Sequence, residues 1–168
     1  MRRNRKADMT KTSTGKDRLP AIVGWMEIVG LPQLEIPAVK AKIDTGARTS
    51  ALHATDITPY EMDGQRRVSF RTYTADGLPD HLVDCPYHTE RAIKNTSGVP
   101  EDRLIIRTQM RLGDRKWLID LSLADRTNMT FPMIIGRAAL KNHNIVVHTR
   151  RTYLMTANPP RRSRKDDQ

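Results

Sequence analysis

Apolar and polar side chains alternate with a period of two through much of this chain, which confines the fold to short strands with one covered face. Val39, Ala41 and Ile43 alternate with Lys40 and Lys42, and Val68, Phe70 and Thr72 alternate with Ser69 and Arg71. Leu104, Ile106, Thr108, Met110 and Leu112 share a face against Arg107, Gln109 and Arg111. Trp117, Ile119, Leu121 and Leu123 repeat the pattern after a turn at Gly113-Asp114. Ala21 to Val29 is a largely apolar run ended by Gly30 and Pro32, and Phe131 to Ile135 is continuous, as expected of a strand covered on both sides. Only Gly136 to Asn142 reads as helical, for a turn or two, before Ile145-Val146-Val147 resumes strand character. Strands this short, separated by Gly, Pro and Asp turns, predict a mostly-β sandwich or barrel.

The 168 residues suffice for one domain with appended segments. The net charge of +10 is uneven: residues 1–20 hold seven basic and two acidic groups, and residues 157–168 hold Arg161, Arg162, Arg164 and Lys165 against Asp166 and Asp167. A disordered basic arm over 1–20, a folded domain over 21–156 and a basic tail over 157–168 are therefore expected. Without aromatic residues for stacking, such tails bind polyanions weakly, by counterion release. A single cysteine excludes a disulfide framework and suits a reducing compartment. No run reaches the roughly eighteen apolar residues of a membrane span, and no apolar signal core lies near the start. A cytoplasmic location, with no membrane partner, is the expectation. Residues 74–100, punctuated by Gly77, Pro79, Pro86, Gly98 and Pro100, lack clear periodicity and read as a covering insertion or flap.

Asp44-Thr45-Gly46 follows the strand that ends at Ile43. Asp and Gly would suit a plain strand-to-turn junction. The order of residues also suits chemistry: a strand end holds a carboxylate rigidly, and a glycine two positions on brings its amide close to that carboxylate. The intervening hydroxyl can bond across to a neighbouring loop.

About ninety positions later, Ile134-Ile135-Gly136-Arg137, with Leu140, places a strand, a glycine and a short helix in succession. Together with Asp44-Thr45-Gly46-Ala47, this pair resembles the retropepsin family of aspartic proteases, in which the strand–Gly–Arg–helix element packs beside the catalytic loop. More narrowly, Ala41 to Ala54 and Met129 to Arg137 are similar to a bacterial family whose members are labelled ATP-dependent zinc proteases or proteins associated with RimK-type ATP-grasp glutamate ligases. The resemblance covers residues 21–156 and implies a retropepsin-like acid-protease β-barrel with one short C-terminal helix.

Neither half of that label has the usual motif in this chain. None of His53, His81, His88, His143 and His148 forms His-Glu-x-x-His, and Gly15-Lys16 lacks the remaining residues of a P-loop. No cofactor is expected. The one candidate metal set is His81, Cys85 and His88, beside Asp84, with a spacing that fits no standard module.

Aspartic-protease chemistry needs two carboxylates sharing a proton across a water, and this chain has one Asp-Thr-Gly. The resemblance implies a homodimer in which Asp44 of each subunit meets its copy, Thr45 braces the two loops and Gly46 presents backbone to an extended peptide. It further implies substrate contacts from Ala47, Arg48 and Arg137. Retropepsins commonly carry an acid where this chain has Arg48, able to pair with the arginine of the Ile-Ile-Gly-Arg element. An Arg48 facing the cleft would favour an acidic, glutamate-rich substrate, in keeping with a link to a glutamate ligase. Two alternatives to a peptidase remain open: a catalytically silent binding or adaptor domain, and a zinc-dependent hydrolase.

Overall fold

A computed structural model describes residues 19–73, 81–94 and 98–156. The expected tail over 157–168, and all but residues 19 and 20 of the expected arm, lie outside them. Among the described residues, twelve strands, a 3-10 turn at Pro32–Leu34 and one short α-helix occur: β1 (Ala21–Gly24), β2 (Met26–Leu31), β3 (Ile36–Asp44), β4 (Ser50–His53), β5 (Thr55–Met62), β6 (Gln65–Thr72), β7 (His81–Pro86), β8 (Thr89–Lys94), β9 (Pro100–Leu112), β10 (Arg115–Ala124), β11 (Met133–Gly136), α1 (Arg137–Leu140) and β12 (Ile145–His148). The protein is mostly β, as the alternation predicts.

The pairings β3–β11, β11–β4, β4–β10, β10–β9, β9–β2 and β2–β3 return on themselves, so these strands form a closed circuit. β8 extends it along the first half of β9. β5, β6 and β7 form a separate antiparallel sheet, and β1 pairs in parallel with β12. Val39, Ala41, Ile43, Leu52, Met110, Leu121, Met133 and Ile135 fill the inside of the circuit, and Val68, Phe70 and Val83 of the three-stranded sheet join the same core. Among the described residues no helix is long and apolar enough to cross a membrane.

One feature of the connectivity positions the site. β3 and β4 are consecutive in the chain yet do not pair, because β11 enters between them, parallel to β3 and antiparallel to β4. The register sets Gly136 opposite Asp44, which brings together two segments some ninety residues apart. β11 was expected to be covered on both sides, but Ile134 is only half-buried, since its side chain borders a cleft.

Two local differences from the sequence expectation have physical causes. Most of the described part of residues 74–100 is strand, in β7 and β8, rather than irregular loop. In β7, Val83 and Cys85 point inward between exposed Leu82, Asp84 and Pro86, an alternation too short and too polar to stand out. β8 buries neither face fully, so it is held by its ladder to β9 rather than by an apolar pattern. The run from Trp25 to Val29 conceals the fully buried Glu27. Its Oε1 accepts N–H groups from Gly24 (2.7 Å), Leu154 (2.9 Å) and Met155 (3.2 Å), and Oε2 accepts the Thr156 hydroxyl. A buried carboxylate so satisfied is tolerated, and it fastens the segment after β12 to β2.

Candidate active site

Asp44 is the last residue of β3, its backbone fixed by β11 and its side chain about 29% exposed. Oδ1 accepts the N–H groups of Gly46 (3.0 Å) and Ala47 (3.2 Å), leaving Oδ2 with Lys42 Nζ at 3.8 Å. A Cβ on Gly46 would lie 3.2 Å from Asp44 Oδ1, so the residue's smallness lets its amide reach the carboxylate. The exposed Thr45 side chain has no hydrogen-bond partner within its own chain among the described residues.

The loop after Asp44 is held by its carbonyls. The N–H groups of Arg137 and Ala138, free because they open a helix, donate to Ala47 O (2.9 Å) and Arg48 O (3.0 Å). Arg137 Nη1 donates to Thr45 O (2.6 Å) and Gly46 O (2.9 Å). The carbonyls of residues 45–48 are thus all engaged by α1. The helix is itself held to the barrel by Trp117 Nε1, which donates to Ala139 O (2.8 Å). Gly136 N–H donates to Ser50 Oγ (3.1 Å), and Ser122 Oγ donates to Ser50 O (3.0 Å).

Asp44, Gly46, Ala47 and Arg48 line a cleft of about 360 Å³ together with Ile93 and Lys94 of β8, Arg103 of β9, Met129 and Ile134. Among the described lining residues Arg48, Lys94 and Arg103 are cationic and Asp44 is the one acid. Arg48 has no carboxylate partner among the described residues, whereas Arg103 binds Glu101 through Nε and Nη2 (3.0 and 2.8 Å).

Of the residues assigned from sequence, Asp44, Thr45, Gly46, Ala47, Arg48 and Arg137 all meet in this loop, with Arg137 turned to the loop's own carbonyls. His81, Cys85 and His88 do not assemble, and among the described residues no cluster could hold a metal ion. His81 Nε2 bonds Leu34 O (2.8 Å), and burial pushes the Cys85 thiol up to about 11, which leaves it protonated and unreactive.

Lys94 and Arg103 lie far from the Asp-Thr-Gly motif in the chain, and no motif marks them as its neighbours. Arg126 is buried in the loop between β10 and β11, its N–H donating to Nδ1 of buried His53 (2.9 Å) and its Nε to Phe131 O (3.0 Å). Burial lowers the His53 pKa below the ordinary 6.5; Asp125, 3.8 Å from Nδ1, partly raises it again, and Arg126 lowers it further. The unfolded chain therefore protonates this imidazole at a higher pH than the folded protein does. Stability is retained above the ordinary value and lost as pH falls through it. We expect His53→Asn, whose amide oxygen can take the Arg126 N–H, to show a smaller loss between about pH 7.5 and pH 5.5 than the wild type. Urea denaturation at each pH measures this, and an unchanged loss contradicts it.

A family model described as RimB-like, "Retropepsin-like aspartic endopeptidase RimB", matches residues 22–158. A probable alpha-L-glutamate ligase of Parasynechococcus marenigrum is 39% identical over 127 residues, 74% of this chain and 27% of that protein. One from Desulfotalea psychrophila is 38% identical over 133 residues, 78% and 29% of the two chains. This chain thus spans less than a third of the curated relatives it matches. The crystal structure of Lpg0085, a Legionella pneumophila protein of unknown function, superposes with a TM-score of 0.69 at 28% identity, over 81% of this chain and 98% of that one.

Proposed function

This chain belongs to the RimB-like family of retropepsin-like proteins, and from that membership we propose that it is an aspartic peptidase acting on an extended acidic peptide. The observation that carries the reading is the Asp44 carboxylate, fixed through Oδ1 by two backbone amides in the lining of an otherwise cationic cleft. One carboxylate cannot serve as both base and acid in the same step. A twofold dimer supplies the second, Asp44 of the other subunit. Two carboxylates so placed share one proton, because like charges at close range do not both ionise. The ionised member takes a proton from the water that attacks the scissile carbonyl, and the protonated member gives its proton to the carbonyl oxygen. Breakdown then expels the amine, which leaves with a proton.

The exposed Thr45 hydroxyl is available to the neighbouring loop, and Gly46 and Ala47 offer backbone to the peptide. The paired strands β8 and β9, whose Ile93, Lys94 and Arg103 line the same cleft as Asp44, serve as the cover. Arg48 and Lys94 select acidic residues, and the similarity to probable alpha-L-glutamate ligases supports glutamate-bearing peptides as substrates and a functional link with such a ligase.

We assign Arg137 to positioning rather than to substrate. Arg137→Met removes the Nη1 donor that reaches both Thr45 O and Gly46 O, and should lower kcat about tenfold or more with a smaller change in KM. Steady-state kinetics checks this, and an unchanged kcat contradicts it. The overall reading is tested by turnover of a peptide library, with and without a chelator, with molar mass measured on the same samples. We expect chelator-insensitive cleavage beside acidic residues by a dimer. Binding without cleavage would favour an adaptor, and loss of activity to the chelator a metal hydrolase.

A further inference from the structure

We propose that Arg103 is a specificity-determining residue of the cleft, and that Glu101 of the same strand occupies it until an acidic side chain of the substrate takes its place. This rests on the peptide-cleft reading above, and it names both the group that reads the acid and the internal carboxylate with which the substrate competes.

The register of β8 and β9 places these groups. Ile93 pairs directly with Glu101, and Arg91 with Arg103, so these side chains leave the same face of the two strands. Ile93 and Arg103 line the cleft that holds Asp44. Glu101 is not among the cleft's described lining residues, yet it stands opposite the first and two positions from the second. Arg103 turns Nε and Nη2 to a single oxygen, Oε2 of Glu101 (3.0 and 2.8 Å). Arg103 Nη1 and Glu101 Oε1 have no hydrogen-bond partner among the described residues.

A second carboxylate on this face is held in another way. Asp120, opposite Arg107, binds Arg91 through Oδ2 and Arg107 through Oδ1, each at 2.9 Å, so arginines of two strands engage both its oxygens. That is a fixed structural anion. Glu101 is 51% exposed and offers one oxygen to one arginine. An ion pair so open to water contributes little to stability, so its release costs little. The Arg103 side chain is only 13% exposed, so its cation keeps its place when the partner changes. An incoming carboxylate can offer two oxygens to two parallel N–H donors where Glu101 offers one, which favours the exchange. A neutral side chain gains nothing comparable by displacing Glu101. The pair therefore admits acids and leaves neutral residues without a charged partner.

An ion pair that merely fastened β9 would leave the choice between acidic and neutral ligands unchanged, and this separates the two accounts. The test measures triglutamate binding to the Asp44→Asn protein, where no cleavage intervenes. Adding Glu101→Gln, which keeps the shape and leaves only a neutral acceptor on Arg103, should tighten binding by about threefold to tenfold. Adding Arg103→Gln should instead weaken it by about tenfold. With Arg103→Gln present, Glu101→Gln should change binding by less than about twofold, because the group for which it competes is gone. With Asp44 intact, two peptides of equal length that differ only by Glu or Gln at one position should give the same order: Glu101→Gln raises the kcat/KM preference for Glu, and Arg103→Gln lowers it. Absent triglutamate binding, binding that Glu101→Gln leaves unchanged or weakens, or a gain that persists without Arg103 would overturn the assignment. If no peptide is cleaved, the hydrolytic reading fails, and the binding cycle still decides the roles of Arg103 and Glu101.

Discussion

Asp44→Asn is expected to lower kcat for peptide cleavage by at least about a thousandfold while leaving the fold intact. The amide oxygen of the new side chain can still accept the Gly46 and Ala47 N–H groups that Asp44 Oδ1 accepts, so the loop keeps its shape. What is lost is the ability to hold and release a proton. A carboxamide cannot deprotonate a water, and it offers the carbonyl of the substrate no acidic proton. Asp44 is partly exposed, with Lys42 as its one ion-pair partner among the described residues, so the change in stability should stay within about 1 kcal/mol. Stopped and steady-state assays with a cleavable acidic peptide, alongside urea denaturation, provide both readouts. Retained turnover would remove Asp44 from the chemistry.

Gly136→Ala is expected to give a large loss of stability, about 3 kcal/mol. A Cβ there would lie 2.7 Å from Thr49 C and 2.8 Å from Arg48 C and O. These are backbone atoms of the loop that follows Asp44, so no side chain can rotate away. Either β11 or the loop must move, and the Arg137 and Ala138 N–H bonds to Ala47 O and Arg48 O move with it. Activity should therefore fall beyond the fraction of protein unfolded. Gly64→Ala provides the contrast. Gly64 has a φ of +72° and open space around it, so an added methyl meets strain but no clash and should cost about 1 kcal/mol. Urea unfolding of both variants checks the order, and a Gly136→Ala protein as stable as wild type would show that the two segments do not pack as described.

The buried faces of β3, β6, β9 and β10 are legible in the sequence because each strand has one covered side, and burial then selects every second residue. β7 and β8 are not legible, the first because histidine, cysteine and proline interrupt its pattern, the second because neither face is fully covered. Strand order is harder still. That β11 enters between β3 and β4 depends on contacts some ninety residues apart, and the only trace of it in the sequence is the pair of motifs at Asp44 and Gly136. Those motifs account for the loop and its brace. The cationic lining has no such marker. Lys94 and Arg103 look like any strand cations, and only the closure of the circuit sets them in one cleft with Asp44. Glu27 is concealed for a related reason, since the amides that satisfy it come from residues 154 and 155, at the far end of the folded chain.

The central claim is that two copies of Asp44 act together at one shared site, and subunit mixing tests it most directly. Wild-type protein at fixed concentration is equilibrated with increasing amounts of Asp44→Asn protein, and cleavage of an acidic peptide is followed. If each site needs one carboxylate from each chain, activity per wild-type chain falls as wild-type pairs are diluted into mixed ones, approaching zero with excess variant. Activity that stays constant per wild-type chain throughout the series would mean that a single subunit suffices, and would contradict the account.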